Sequence, residues 1–582
     1  MPEHQDLIIV GAGWQGIAAA KIYRDLYPNG NFLILDANLT VGGVWAVENL
    51  CPGLKTQNTL GTFEYSWYPL TTREFDVQPG KHIDAPVVQK YLQRNAERFG
   101  LISRISFGVK VISAKPTLNS GWLLEIKGPD GFQSISCSKL IMATGITSIP
   151  RYSDISGRRE FTGPIVGYRD LANAESSAFI KDAKSKTITV VGGSKSAHDS
   201  VYWNAKAGKK VNWVVQRKGS GVFWMTSPHT RFLGQEVQVE AMATTRAFSF
   251  FSPCVWGNAD GYGLIRWFLH QTIFGRFIVN LFWYLLGALI LDSTGVKRCE
   301  STRKALPDFE FQWQASSAGT LNYDDDLYSF IRSGQISIYR EDVARLSIDQ
   351  IHFSNGGSVQ TDALVWCSGW KWTSPIHFPD ELNFELGLPT KIIDSKRILD
   401  WKSQCIHADR RILNTFPYLR SAPVGPRRSR SNEFGADEDG ELYTPWCLYR
   451  GIAPPNQADQ KVTKDIAFLG RCSTIPTVAL AEIQALWAIA FLHDKLTLPQ
   501  TINPSREEAI IWMRWNRLRY PFSHGSKYMD TSFDIIPYFD TLLSDMGLNC
   551  QRKGNWWKEL WEPYGVADYR DIVAEFKKKN IP

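Results

Sequence analysis

Two glycine-rich turns, each directly behind a short apolar run, constrain this chain more than any other feature. The first, Gly11-Ala12-Gly13-Trp14-Gln15-Gly16, follows Leu7-Ile8-Ile9-Val10. The second, Gly192-Gly193-Ser194-Lys195-Ser196-Ala197, follows Ile188-Thr189-Val190-Val191. A buried parallel strand that feeds a tight turn and then a helix requires this pattern. One glycine allows the turn, the next lets the backbone approach a pyrophosphate, and the last position must be small so that helix and strand can pack. The phosphates then rest on N–H groups at the positive end of the helix dipole. Gly11, Gly13 and Gly16 meet the full pattern. The second copy is looser, with Ser194 and Ala197 in place of two glycines.

The two turns differ in the charge that follows them. Asp36 stands 25 residues after Gly11, at the end of Phe32-Leu33-Ile34-Leu35. Arg217 stands 25 residues after Gly192, at the end of Val211-Asn212-Trp213-Val214-Val215, and Lys218 follows it. An acid at this position accepts hydrogen bonds from a ribose hydroxyl, whereas an Arg suits a 2′-phosphate. FAD in the first unit and NADPH in the second are the economical pair. Lys195 and Lys218 read either as phosphate partners or as ordinary surface lysines. Each unit also has a closing strand that ends on a small turn, Thr144-Gly145 after Leu140-Ile141-Met142-Ala143 and Ser368-Gly369 after Leu364-Val365-Trp366-Cys367. The second unit is the longer, so it carries an insertion.

At 582 residues the chain exceeds what one hydrophobic core supports. The net charge of +7 is modest and dispersed, which argues against a nucleic-acid partner. Nine cysteines contain no C-x-x-C pair, so no zinc site, disulfide framework or redox-active pair is expected, and no metal is assigned. The sequence enters its first strand almost at once and no signal peptide is read, so a cytoplasmic location is expected. Residues 277–291 are apolar apart from Asn280, and Arg266, His270 and Arg276 precede or open that run. The segment reads as a helical lid over a pocket or as a helix pair lying on a membrane; 263–291 is therefore a candidate for peripheral membrane contact. A charged stretch, 420–441, reads as a solvated loop.

The motifs together resemble the class B flavin-containing monooxygenases and their Baeyer–Villiger relatives. Gly42-Gly43-Val44-Trp45 is similar to the family's G-G-x-W beside the flavin, and Thr144-Gly145 and Ser368-Gly369 are similar to its A-T-G-type crossings. Asp465-Ile466-Ala467-Phe468-Leu469-Gly470 and Ala481 to Trp487 resemble the strand and helix that return to cover the flavin. The second glycine turn resembles that of a branch common in fungal specialised metabolism.

The resemblance implies an α/β fold with two Rossmann-like dinucleotide-binding domains, the second inserted in the first, and a helical insertion. It divides the chain into 1–165 (FAD, first part), 166–375 (NADPH, with the insertion about 222–310), 376–459 (substrate side) and 460–582 (FAD return and C-terminal wrap). It implies that NADPH reduces the flavin, that O2 adds to give a C4a-(hydro)peroxyflavin, and that one oxygen atom passes to an apolar small molecule. Thr56 is expected at the flavin, with Gln57 and Asn58 as the catalytic amides. Three residues depart from the family pattern. Gln57 replaces an Asn, Gly167 replaces the His of F-x-G-x-x-x-H in Phe161-Thr162-Gly163-Pro164-Ile165-Val166-Gly167, and Trp67 replaces an acid before Tyr68-Pro69. No Arg and Asp of the Baeyer–Villiger kind are found, which favours hydroxylation over ester formation. A flavin oxidase and a non-catalytic nucleotide-binding protein are the other readings.

Overall fold

Two twisted sheets, each built around one of the glycine turns, organise the chain. The computed structural model describes residues 4–118, 120–152, 154–232, 235–391, 395–423, 435–436, 442–455, 464–496 and 502–581. Most of the expected 420–441 loop, and the boundary expected near 460, lie outside them.

In the first sheet the strands run in the order Ile105–Phe107, Phe32–Asp36, His4–Val10, Gly131–Met142, Trp122–Gly128, Lys110–Pro116. The distant strand Ile466–Phe468 pairs in parallel with the end of Gly131–Met142. His4–Val10 lies parallel to both of its neighbours. The second sheet is fully parallel, in the order Ile336–Tyr339, Lys210–Val214, Thr187–Val191, Ala363–Trp366, Ile165–Gly167. In both sheets the glycine turn follows a central strand, and the charged residue ends or follows the strand beside it. This is the crevice at which α/β sheets bind ligands. The fold is thus α/β with two Rossmann-like units.

Helix Thr477–Leu492 packs on helix Trp14–Leu26 beside the first sheet. Apart from buried Glu482 and Gln484 its sequence is apolar from Val478 onward, and each residue from Val478 to Leu492 is buried, as expected of a helix enclosed all round. Between Lys210–Val214 and Ile336–Tyr339 the second unit carries its insertion, dominated by the helical hairpin Gly263–Gln271 and Ile273–Thr294. Thr272 caps the longer helix by accepting from the Gly275 N–H at 2.9 Å. The helices meet so closely that a Cβ on Gly275 would lie 2.0 Å from Phe268 O, so only glycine allows this corner.

Candidate active site

The first turn is held by backbone geometry. Gly11 has φ +111°, which L side chains rarely adopt, and a Cβ on Gly16 would lie 1.8 Å from Gly11 O. The helix Trp14–Leu26 starts at Gly13 with no side-chain cap and no acid in its first turn, leaving its terminal N–H groups to an anionic ligand. Opposite stands the Gly42-Gly43 corner. A Cβ on Gly43 would lie 3.2 Å from Gly13 Cα, so the two glycines let these backbone segments approach each other closely. Buried Asp36 accepts from the Ala12 and Asn38 N–H groups, which ties the carboxylate to the turn. Burial raises its pKa against these hydrogen bonds. Two lone-pair positions remain for ribose hydroxyls.

The flanking residues separate into wall and core. Val44 is exposed and Trp45 half-buried, with Trp45 edge-on to Phe63. Trp14 points into the core among Phe63, Tyr65 and Tyr91, and its carbonyl accepts from the Tyr65 hydroxyl. Its side chain therefore supports the turn and does not face the cradle. Gln15 lies against Gly470, where a Cβ would sit 2.8 Å from Gln15 Cγ, and the Gln15 carbonyl oxygen is buried without a partner. Gly145 and Gly369 both have positive φ and face open space. The Ser368 hydroxyl donates to Arg151 O.

Arg471, which the sequence reading missed, joins the Thr144-Gly145 crossing. Its guanidinium donates to Gly145 O at 2.6 Å and to the Thr144 hydroxyl, and stacks over Trp446. It is buried, its Nε has no partner, and among the described residues no carboxylate pairs with it. Burial lowers its pKa to about 10. A buried cation without a counter-charge is costly. A bound dinucleotide phosphate would supply that charge, so bare glycines, uncapped helix and orphaned cation together fit FAD.

Gln57 and Asn58 line a cavity of about 180 Å³. Its polar lining includes Gln57, Asn58, Gln238 and Glu240; its apolar lining includes Phe248, Leu286, Ile290, Phe311 and Phe533. The two amides have different surroundings. Asn58 Nδ2 donates to Glu240 and to Ile475 O (3.0 Å), which occupies both of its N–H bonds. Gln57 Oε1 accepts from the Thr320 N–H at 3.1 Å. Because the Thr320 N–H can only donate, this contact fixes which end of Gln57 is the carbonyl and leaves its NH2 group free of protein partners among the described residues. The Thr56 hydroxyl donates to Asn58 O and accepts from the Ile83 N–H, so it holds the strand's shape. Glu240 also accepts from the Thr59 N–H, and burial raises its pKa.

At the second turn the helix Lys195–Lys206 starts from Ser194 with no side-chain cap. Here the second glycine serves packing: a Cβ on Gly193 would lie 2.0 Å from Gly221 O, while Gly192 takes φ +140°. Ser196 contributes its carbonyl to the Ser200 hydroxyl. Lys195 departs from the phosphate-binding expectation. Its ammonium turns inward to Asp199, with Asn322 at 2.8 Å, because an acid one helical turn on and a buried amide solvate it better than the turn does. Arg217 remains available: its side chain is 67% exposed and rests on Arg340 O and Glu341. Lys218 beside it is exposed.

The two remaining departures have local reasons. A Cβ on Gly167 would lie 2.8 Å from the Tyr152 ring, and Tyr152 donates to Asp170, so this corner has no room for a His. Trp67 stacks on Tyr65 at 4.6 Å and lies under Lys21, a packing role.

A family model described as pyridine nucleotide-disulphide oxidoreductase matches residues 8–231. "FAD-dependent monooxygenase DEP4" of Fusarium langsethiae is 33% identical over 584 residues, spanning 98% of this chain and 94% of that protein. The chain belongs to the FAD-dependent monooxygenases. "FAD-dependent monooxygenase resA" of Aspergillus sclerotiorum is 31% identical over 587 residues and 98% of each chain. The solved structure "Oxidized steroid monooxygenase bound to NADP" shares the fold at 15% identity, with a TM-score of 0.56 over 99% of this chain and 98% of that one. As a FAD-dependent monooxygenase the chain needs no cysteine pair, and all nine cysteines are free thiols.

Proposed function

We propose that this FAD-dependent monooxygenase uses NADPH and places one oxygen atom of O2 on an apolar small molecule, in specialised metabolism. FAD bound by 1–165 and the returning segment would accept hydride and activate dioxygen. The chain's residues do the rest. Gly11, Gly13 and Gly16 hold the pyrophosphate, Asp36 the ribose, and Arg471 the negative charge. Arg217 and Lys218 hold the 2′-phosphate of NADPH. Phe248, Leu286, Ile290, Phe311 and Phe533 bind the substrate's apolar body and exclude water.

The observation that carries this reading is the fixed orientation of Gln57. With its carbonyl held by Thr320, the exposed Gln57 side chain on the pocket lining keeps its NH2 group available as a donor to developing negative charge on oxygen. Asn58, engaged by Glu240, positions that strand. Among the described residues lining the pocket there is no Arg, which supports oxygenation at a heteroatom or carbon over ester formation from a ketone.

The test is to supply the FAD-loaded protein with NADPH, isotopically labelled dioxygen and a panel of lipophilic metabolites. One labelled oxygen atom per product molecule is expected. NADPH consumption that yields only hydrogen peroxide with every compound would assign a flavin oxidase instead.

A further inference from the structure

Among the described residues the outer face of the helical hairpin has no partner. On Gly263–Gln271, Leu264 is 84% exposed and Trp267 stands beside it; on Ile273–Thr294, Ile273 is 82% exposed, Tyr284 73% and Leu285 55%. Phe277, Leu281 and Leu285 recur every four residues along one stripe, all exposed. The opposite stripe of the same helix, with Val279, Trp283, Leu286 and Ile290, is buried against the protein. Helix Ile273–Thr294 is long and apolar enough to cross a membrane, but 28% of its apolar window is buried inside the fold, so one stripe of it is held by its own domain. Ordinary surfaces scatter single apolar residues; a continuous strip on two adjoining helices marks a contact surface.

We propose that this face docks the enzyme onto the surface of a lipid bilayer, with the hairpin lying in the plane of the interface. Three observations select lipid over a second protein surface. From Gly263 to Leu291 the chain has no acidic residue; exposed Asp292 stands in the last turn of the helix, and exposed Lys297 and Arg298 follow its end, so the apolar strip itself presents no negative charge to a headgroup layer. The strip mixes Trp and Tyr with Leu, Ile and Phe, as interfacial belts do. A second exposed aromatic element packs on the short helix Arg246–Ser249: Trp556, Trp557 and Trp561 are all exposed on helix Trp556–Trp561. Arg246 bonds both Glu559 of that helix and Asp260, and Asp260 in turn pairs with Arg266 of the hairpin.

One helix thus faces two ways. Leu286 and Ile290 line the pocket while Phe277, Leu281 and Leu285 face outward. A substrate dissolved in the bilayer would stand one helix away from the pocket; this last point rests on the oxygenase reading, whereas docking does not.

Sedimentation of the full-length FAD-loaded protein with phosphatidylcholine vesicles containing about 30% phosphatidylserine tests the proposal. The protein is expected to pellet with the vesicles at about 1 mM lipid, and less well with pure phosphatidylcholine. The triple variant Leu264→Ser, Phe277→Ser, Leu285→Ser alters exposed side chains only. It is expected to keep its flavin absorbance and Tm while its vesicle affinity drops roughly tenfold or more. Equal binding by the triple variant would overturn the proposal, as would no pelleting with either vesicle. Light scattering that finds a dimer abolished by the same variant, without vesicle binding, would assign the face to self-association and overturn it too.

Discussion

The Thr320 backbone N–H donates to Gln57 Oε1 at 3.1 Å, across 263 residues of sequence and between the first unit and the insertion-bearing second one. This contact holds the Gln57 carbonyl, whereas Asn58 gives both of its N–H bonds to Glu240 and Ile475 O, so in the proposed reading Gln57 is the amide with an NH2 group to offer. Gln57→Ala should therefore cut coupled oxygenation by roughly tenfold or more, the scale of losing a preorganised donor. NADPH consumption should continue, with the lost turnover appearing as hydrogen peroxide. An unchanged ratio of peroxide to NADPH consumed would remove Gln57 from this role.

Glu240 anchors the other amide. Glu240→Leu leaves the Asn58 NH2 group and the Thr59 N–H short of an acceptor, a defect worth about 1–3 kcal/mol. A lower Tm is expected by calorimetry, with Glu240→Gln recovering most of it because it keeps one acceptor oxygen. Equal Tm values for the wild type and Glu240→Leu would contradict the assignment.

Arg471 is a buried cation whose hydrogen bonds go to Gly145 O and the Thr144 hydroxyl. If its missing counter-charge is the dinucleotide, Arg471→Met should lower the flavin-to-protein absorbance ratio, and Arg471→Lys should lower it less. A purely structural arginine would shift Tm in the apoprotein and leave FAD affinity alone.

Glu482 sits in the fully buried helix Thr477–Leu492. The Ser66 N–H donates to its Oε1 at 2.6 Å, the Ser66 hydroxyl lies 2.6 Å from its Oε2, and burial pushes its pKa from 4.5 up to about 8. The folded protein thus binds a proton that the unfolded chain releases above pH 4.5. Stability contributed by this group is complete below pH 4.5 and declines as pH rises to about 8. Tm should fall across that window, and Glu482→Gln, which keeps a neutral side chain, should fall less steeply. Parallel pH–Tm curves for the two proteins would exclude the protonated carboxyl.

Much of the fold could be read from sequence because its signals are local. A glycine turn behind an apolar run, with a charge 25 residues on, fits within one strand-turn-helix-strand unit, so Gly11, Gly16, Asp36 and Arg217 could be located directly. What could not be read depends on contacts between distant segments. Glu240 meets Asn58 across 182 residues and Arg471 meets Thr144 across 327, and neither has a motif of its own. Lys195 is intermediate. Asp199 at i+4 was visible and already offered an ion pair, but Asn322, which completes the inward site, was not. Trp14 belongs to the glycine turn by sequence, whereas its indole packs in the aromatic core of Phe63, Tyr65 and Tyr91.

Electron entry tests the whole account. The FAD-loaded protein, mixed anaerobically with NADPH, should lose its oxidised-flavin absorbance. It should do so at far lower concentrations of NADPH than of NADH. Arg217→Ala should weaken NADPH by roughly ten- to a hundredfold, the scale of one or two charge-assisted hydrogen bonds, and leave NADH nearly unchanged. A flavin that stays oxidised with both nucleotides, or an Arg217→Ala protein that loses both equally, would contradict it.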